Sequence, residues 1–391
     1  MKEIFVVDAL RTPFGSFGGQ LAEVESPQLA ARVMTGLLER NGLAPSAVDE
    51  VIIGQVLSGG VGQAPARQAM RAAGIPDAVP AMTINKVCGS GLKAIMLGAG
   101  SIALGDAGVV IAGGMENMSL APHFLKKART GYRMGHGELF DLMIHDGLQD
   151  PCTGRHMGEI GEESAARNGI SRDAQDEFAI RSYRLAQAAV TGGVFADEIV
   201  PVVKATRKGE ETVATDEEPF KGDVAKLPQL KAVFRKEGTI TAGNASTIND
   251  GAALAILADA AGLKAHNLTP KARIVAAATN SLHPDYFPEA PVGAIERACA
   301  RAGIGVGDID LFEINEAFAS VPLIAIQSLG LDPEKVNVNG GACAVGHPIG
   351  ASGGRLAATV IRELHRRNAR YGLATLCIGG GEAVAVIFER V

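Results

Sequence analysis

The apolar positions of this chain fall into short unbroken runs separated by glycine-rich turns, and the runs recur in a fixed order. In the first half, Val48-Asp49-Glu50-Val51-Ile52-Ile53-Gly54 reads as a buried strand. It precedes Ser90-Gly91-Leu92-Lys93-Ala94, where a helical pattern begins and leads to a further strand, Asp106-Ala107-Gly108-Val109-Val110-Ile111-Ala112-Gly113-Gly114. In the second half, Ile309-Asp310-Leu311-Phe312-Glu313-Ile314-Asn315 precedes Ser352-Gly353-Gly354-Arg355-Leu356, and a helix again leads to a strand, Tyr371-Gly372-Leu373-Ala374-Thr375-Leu376-Cys377-Ile378-Gly379-Gly380. From Asp49 to Ser90 is 41 positions and from Asp310 to Ser352 is 42, so the spacing predicts a duplicated unit of strand, glycine turn, buried helix and strand.

Between the two copies the pattern breaks. Residues 119–245 carry basic side chains at Lys126, Lys127, Arg129 and Arg133, then acidic stretches from Glu159 to Glu163 and from Glu210 to Glu218. Within them, Ser171-Arg172-Asp173-Ala174-Gln175-Asp176-Glu177-Phe178 predicts a helix capped by Ser171, with acid in its first turn. The segment reads as an excursion from the duplicated core, either a wall over a site or an oligomer contact. The expected organisation is an N-terminal half from 1–118 and 246–268, a loop domain over 119–245, and a C-terminal half over 269–391.

Composition narrows the function classes. With 391 residues, 47% hydrophobic and 20% charged, the chain is long enough for two or three buried cores. A net charge of -6 argues against a general nucleic-acid surface, and four tyrosines without tryptophan leave no platform for stacking bases. The run Met1-Lys2-Glu3-Ile4-Phe5-Val6-Val7-Asp8 meets an acid too early for a signal-peptide core, and no uninterrupted apolar stretch approaches a membrane span. Five cysteines, Cys88, Cys152, Cys299, Cys343 and Cys377, lack metal-ligand spacing and predict a reducing, cytoplasmic setting without disulfides or zinc.

Three of the glycine turns carry chemistry. Cys88 lies in Asn85-Lys86-Val87-Cys88-Gly89-Ser90-Gly91-Leu92, where backbone N–H groups at a helix start favour a thiolate; a lone cysteine is equally well a small buried hydrophobe. Gly346-His347-Pro348-Ile349-Gly350-Ala351-Ser352-Gly353 adds an imidazole, and Cys377-Ile378-Gly379-Gly380-Gly381 adds a second thiol at a strand end. On a duplicated core these turns converge where strand ends meet, so one thiol can hold an acyl group while the other moves a proton. Asn315-Glu316-Ala317-Phe318 adds an amide to fix a water or an oxyanion, and a carboxyl at Glu316 that either orients dipoles or serves a structural ion pair.

Together with Arg11-Thr12-Pro13-Phe14-Gly15, Gly113-Gly114-Met115-Glu116-Asn117-Met118-Ser119, Asn244-Ala245-Ser246 and Asn249-Asp250-Gly251-Ala252-Ala253, these segments resemble the thiolase family, in its order and over essentially the whole chain. The resemblance implies a five-layered αβαβα core of two halves with an inserted loop domain. It also implies reversible Claisen chemistry on coenzyme A thioesters with no tightly bound cofactor. By it, Cys88 takes the acyl group, His347 accepts the Cys88 proton and donates to the thioester oxygen, and Cys377 deprotonates the methyl of the second acetyl-CoA. Asn315 holds a water in one oxyanion hole, and the N–H groups of Cys88 and Gly379 form the other. Ser246 meets the pantetheine; Leu148, His156, Met157, Phe234, Ala317 and Phe318 line the tunnel or the adenine site; Met157 and Phe287 border the acyl pocket.

Asp285-Tyr286-Phe287-Pro288-Glu289-Ala290-Pro291 and Tyr183 resemble the mitochondrial acetoacetyl-CoA branch, which implies potassium near Tyr183 and the backbone of Ala242, Gly243 and Ala245. The 285–291 segment departs from the Met-containing bacterial biosynthetic pattern, as do Cys343, in place of a small or aliphatic residue, and Glu382, in place of Met or Gln; Phe220-Lys221 stands where relatives often place an arginine near the nucleotide. The expected activity is interconversion of two acetyl-CoA with acetoacetyl-CoA and CoA, in a homotetramer. The rival readings are a longer-chain 3-ketoacyl-CoA thiolase, a ketoacyl synthase, which the second thiol Cys377 argues against, and a non-catalytic CoA-binding scaffold.

Overall fold

The structure, a computed structural model, describes residues 2–207 and 209–391. The first half runs β1 (Phe5–Arg11), β2 (Gly15–Ser16), α1 (Ser26–Asn41), β3 (Glu50–Gly54), α2 (Pro65–Ala72), β4 (Ala81–Ile84), α3 (Ser90–Leu104) and β5 (Val109–Asn117). An excursion follows with the hairpin β6 (His123–Phe124) and β7 (Phe140–Asp141), helices α4 (Met157–Arg167) and α5 (Arg172–Thr191), and the hairpin β8 (Val202–Thr206) and β9 (Gly209–Val213). The chain returns through β10 (Asn249–Ala258) and α6 (Ala260–His266). It ends with β11 (Ala272–Ser281), α7 (Ala290–Ala302), β12 (Leu311–Ile314), α8 (Ser320–Leu329), α9 (Ala342–Val345), α10 (Ser352–Arg366), β13 (Tyr371–Ile378) and β14 (Glu382–Arg390).

The strand pairing shows the duplication. One half orders β4-β3-β5-β10-β1, with β3 parallel to both β4 and β5 and β10 antiparallel to its neighbours. The other orders β12-β13-β14-β11, with β12 parallel to β13 and β14 antiparallel to both flanking strands. Phe312 also bridges Val336 in parallel, at the place that β4 occupies in the first half. The two arrays meet at the pairs Phe5↔Arg273 and Val6↔Ala272.

Alternation along the strands divides the apolar side chains among three cores and so makes five layers. Leu254 and Ile256 of β10 face α1 and α2, whose Leu29, Val33, Met34 and Met70 are buried. Leu257, Val384, Val386 and Leu376 face the middle, where Leu92 and Ile95 of α3 pack with Leu356 and Ile361 of α10. Leu373, Ala385 and Ile387 face the far side, against Ala294 and Ile295 of α7 and Val321 of α8. No apolar run of membrane length is expected from the sequence, but Val87–Leu104 is long and apolar enough to count as one, with a mean hydropathy of 1.5. Its place between the two sheets accounts for that composition, because a middle-layer helix meets apolar surface on more than one side.

The excursion is pinned to the core by Arg11, which is fully buried. Its guanidinium holds Asp216 through two bonds, at 2.6 and 2.8 Å, and Glu198 at 2.6 Å.

The starts of α3 and α10 touch through glycine. A Cβ on Gly353 would lie 2.2 Å from Leu92 N, and one on Gly91 would lie 2.8 Å from Gly350 O. Both obstacles are backbone, which does not yield as a side-chain tip does. Gly353→Ala is therefore expected to lower stability by about 1–3 kcal/mol, the cost of overpacking, and to lower activity more than stability alone explains, since it displaces the turns before both helices. Urea titration alongside an activity assay checks this; unchanged stability would mean that the helix starts are free to part.

Candidate active site

Cys88 sits immediately before α3 in a turn held by its own side chains. Val87 N–H donates to Asn85 Oδ1 at 2.8 Å, Lys86 N–H to Ser90 Oγ at 2.8 Å, and Ser90 Oγ to the Val87 carbonyl at 2.6 Å. Val87 has φ +46°, a left-handed conformation that a β-branched residue rarely takes. The backbone N–H groups of Gly379 and of Cys88 itself lie close enough to the sulfur to favour its thiolate. Burial outweighs them and, with Glu116 nearby, pushes the thiol up to about 11. This corrects the expectation of a cheap thiolate at a helix start: the donors are present, but desolvation wins and the resting group is a thiol.

His347 is buried before α10. Its N–H donates to Asn249 Oδ1 at 2.9 Å, and its Nδ1 lies 2.5 Å from Ser352 Oγ. Ser352 Oγ spends its own proton on the Pro348 carbonyl at 3.0 Å, so it accepts from Nδ1–H and leaves the unprotonated Nε2 facing the Asn315 amide. Burial, followed by Arg355, lowers the imidazole to about 3, so it is neutral at physiological pH. Asn315 Nδ2 lies 3.4 Å from Nε2, and Asn315 Oδ1 is buried without a partner in the described chain, an acceptor suited to a water. Cys377, at the end of β13, is buried, and desolvation with Cys88 beside it holds its pKa well above that of a free thiol.

Two buried carboxyls brace these turns. Glu116 accepts N–H groups from Val56 at 3.0 Å, Leu57 at 3.1 Å and Gly350 at 3.0 Å, which joins the end of β3 to the imidazole turn. Burial raises it to about 7. Glu316 accepts from Ser182 Oγ at 2.7 Å, Asn337 Nδ2 at 2.8 Å and Cys343 N–H at 3.0 Å, so it anchors the segment leading to His347. Cys343 is packed in that anchor. The positions of Glu116, Asn249 and Ser352 lie within quoted sequence segments, but their bracing roles are not legible there because each depends on a partner from a distant segment.

A cavity of about 560 Å³ opens beside His347. Leu148, His156, Met157, Phe234, Ser246, Ala317 and Phe318 all line it, as do Met118, Ile248 and Ile349, which the sequence does not single out as lining residues. The Ser246 loop docks on the Asn315–Phe318 segment, with Ser246 N–H donating to the Ala317 carbonyl at 3.0 Å. His156 caps α4 by accepting Gly158 N–H at Nδ1 and stacks on Phe234 with ring centroids 4.8 Å apart. Lys221 reaches the lining, half exposed, whereas Phe220 points to solvent.

Phe287 differs from expectation: it is not in the lining but 2% exposed behind Phe318, centroids 6.4 Å apart, because its own turn packs into the far core. Of the residues named for potassium, Ala242 and Ala245 line the cavity, and Tyr183 is buried in the core that holds Cys343. The described residues contain no cluster of three His, Cys, Asp or Glu side chains able to hold a metal.

Comparison with known proteins agrees with this geometry. Residues 4–261 match the model of the thiolase N-terminal domain, and residues 268–390 that of the thiolase C-terminal domain. Acetyl-CoA acetyltransferases of Pseudomonas aeruginosa and Cupriavidus necator are each 52% identical over 392 residues, covering 100% of both chains. Among solved structures, Bacillus anthracis acetyl-CoA acetyltransferase superposes with a TM-score of 0.97 at 42% identity, and human mitochondrial 3-ketoacyl-CoA thiolase with 0.96 at 39%; each comparison covers 100% of this chain and 99% of the other. With both halves matched and the relatives aligned end to end, this chain belongs to the thiolase family and is an acyltransferase enzyme.

Proposed function

We propose that this enzyme is an acetyl-CoA C-acetyltransferase that interconverts two acetyl-CoA with acetoacetyl-CoA and CoA through an acetyl group carried on Cys88. The observation that carries the reading is the pair of N–H groups, from Cys88 and Gly379, that lie near the Cys88 sulfur and favour its charged form, with Cys377 close by. A developing oxyanion needs such preorganised donors.

In the first half-reaction, Cys88 Sγ attacks the thioester carbonyl while His347 Nε2 takes its proton. The tetrahedral oxyanion lies between the two N–H groups, and its collapse breaks the carbon–sulfur bond to CoA. Cys377 gives its proton to the departing CoA thiolate and so becomes a strong base. In the second, the Cys377 thiolate removes a methyl proton from acetyl-CoA, and protonated His347 with the Asn315-held water stabilises the enolate oxygen. The enolate carbon attacks the Cys88 acyl carbon, and the released Cys88 sulfur recovers its proton from His347. Every proton is returned, and the enzyme ends as it began.

The finer features belong to the same proposal. Potassium would meet neutral oxygens, the Tyr183 phenol and the carbonyls of Ala242, Gly243 and Ala245, a donor set suited to a monovalent ion. Burial, with Cys343, Glu218 and Glu316 nearby, holds the Tyr183 phenol in its neutral form. The homotetramer has its candidate contact in the excursion, where Leu125, Met134 and Leu139 are exposed. Cytoplasmic placement and the loop domain over 119–245 as the substrate wall complete the reading.

Cys88→Ala should abolish acetyl labelling while CoA still binds. Cys377→Ala should still become acetylated yet lose condensation by roughly a hundredfold or more, the scale of a lost acid/base. Intact-mass analysis after acetyl-CoA treatment checks both, and a label elsewhere than Cys88 would refute the assignment.

The resting thiol makes a separate prediction. With Cys88 near 11, the thiolate fraction grows tenfold per pH unit below that value. Alkylation of Cys88 by iodoacetamide is therefore expected to accelerate continuously from pH 7 to pH 10. A plateau beginning near pH 7 would reveal an ionised resting thiol instead.

Chain length follows from the lining. Met157 and Phe318 narrow the cavity, so acetoacetyl-CoA should be cleaved well and substrates of eight or more carbons poorly. Met157→Ala should move the kcat/KM ratio toward longer chains by roughly one order of magnitude. Phe287→Ala should instead cost stability of about 3–5 kcal/mol as a buried ring is lost. Thiolysis rates against 3-oxoacyl-CoA of rising length, in potassium and in sodium, test this preference and the ion together; a profile favouring long chains would point to the 3-ketoacyl-CoA thiolase reading.

A further inference from the structure

The turn that carries the nucleophile and the turn that carries its oxyanion donor belong to opposite halves of the fold, and an ion pair bridges them. Gly379 opens the hairpin turn between β13 and β14, where Gly380 and Gly381 follow with φ of +92° and +90°. A turn of three glycines has no side chains of its own to pack, and glycine gives it the widest freedom of any residue. Glu382 ends that turn, and its Oε2 pairs with Lys86 Nζ across the gap.

Lys86 is built into the nucleophile turn. Its N–H donates to Ser90 Oγ, and its carbonyl accepts from Gly89 N–H at 3.1 Å. Val87, between Lys86 and Cys88, holds its left-handed φ only while the surroundings enforce it. The pair is partly shielded, with side chains 24% and 30% exposed, so bulk water screens it less than an ordinary surface contact. Lys93, early in α3, is lowered by burial first and then by Lys86, while Glu382 raises it; Glu382 thus pairs with Lys86 and acts on Lys93 only at longer range.

We propose that the Lys86–Glu382 ion pair is a clasp that positions the oxyanion hole, holding Gly379 N–H over the Cys88 sulfur and setting the spacing of the two N–H groups that receive the acyl oxygen. The proposal rests on the acyl-transfer reading above. Lys86 and Glu382 touch no reacting atom and are positioning residues. Their effect is on the rate of forming the tetrahedral intermediate, because a donor displaced by an ångström still lets substrate bind but no longer meets the developing charge.

The test is rapid-quench acetylation of Cys88 by acetyl-CoA, read by intact mass, with KM and thermal midpoint measured on the same samples. Lys86→Met and Glu382→Met should each lower the acetylation rate constant by about tenfold or more, with KM and thermal midpoint near those of the unmodified enzyme. The charge-reversed pair, Lys86→Glu with Glu382→Lys, should recover most of the loss, and Lys86→Arg should acetylate normally. If Lys86→Met does not fold, Lys86→Gln replaces it, removing the charge with a polar stem of similar shape. Single variants that acetylate at the unmodified rate, a loss that reversal does not recover, or a loss matched by a fall in thermal midpoint would each overturn the clasp. An unmodified enzyme that takes no acetyl group at Cys88 would overturn the acyl-transfer reading itself, so the two failures are distinguishable.

Discussion

The approach of two helix starts in the middle layer is the constraint on which the rest of the molecule depends. Gly91 of α3 faces the Gly350 carbonyl, and Gly353 of α10 faces the Leu92 backbone, at separations that leave no room for a Cβ. Each helix is preceded by a turn bearing a candidate reactive group, Cys88 on one and His347 on the other. Close contact of the helix starts therefore draws together two turns that are far apart in sequence. The outer helix layers cover the two sheets; the glycine contact sets how closely the two turns approach.

A second consequence is that the groups at these turns rest in their neutral forms. Burial raises Cys88 and Cys377, lowers His347 and raises Glu116, so the resting site carries little charge. That is a poor setting for a standing thiolate and a good one for oriented dipoles, whose effect on a forming charge grows as water is excluded. In the proposed reaction these groups start from neutral forms and gain charge only as substrate bonds change. Ser352 fixes which imidazole nitrogen carries the proton, and it does so with one hydroxyl whose own proton is already committed.

The duplicated halves, the buried strands and the three reactive turns were legible because each rests on local pattern: apolar runs of strand length, glycine where the chain must turn, and spacing that repeats. Part of the cavity lining, Leu148, His156, Met157, Phe234, Ser246, Ala317 and Phe318, was legible through the family resemblance. What escaped is set by partners far away in sequence. Phe287 reads as a wall residue, yet its turn packs into the far core and puts Phe318 between it and the cavity. Cys88 reads as an easily ionised thiol because the helix start is visible in sequence, while the desolvation that outweighs it is not. Glu116 is an unremarked letter in a glycine motif until three N–H groups from two other segments are seen to converge on it.

The two halves also show how one local device came to serve two tasks. Ser90 and Ser352 both open the central helices, and each donates its hydroxyl proton to a carbonyl of the preceding turn, of Val87 in one case and Pro348 in the other. With that proton spent, the oxygen of each serine is left to accept. Ser90 accepts a backbone N–H from Lys86 and so shapes the nucleophile turn; Ser352 accepts the imidazole proton and so selects a base. The repeat is approximate: Ser90 bonds the carbonyl three residues back and Ser352 the one four residues back, so the two turns differ in backbone as well as in the group presented to the serine. A shared hydroxyl device on unlike turns thereby shapes a thiol-bearing backbone in one half and orients an imidazole in the other.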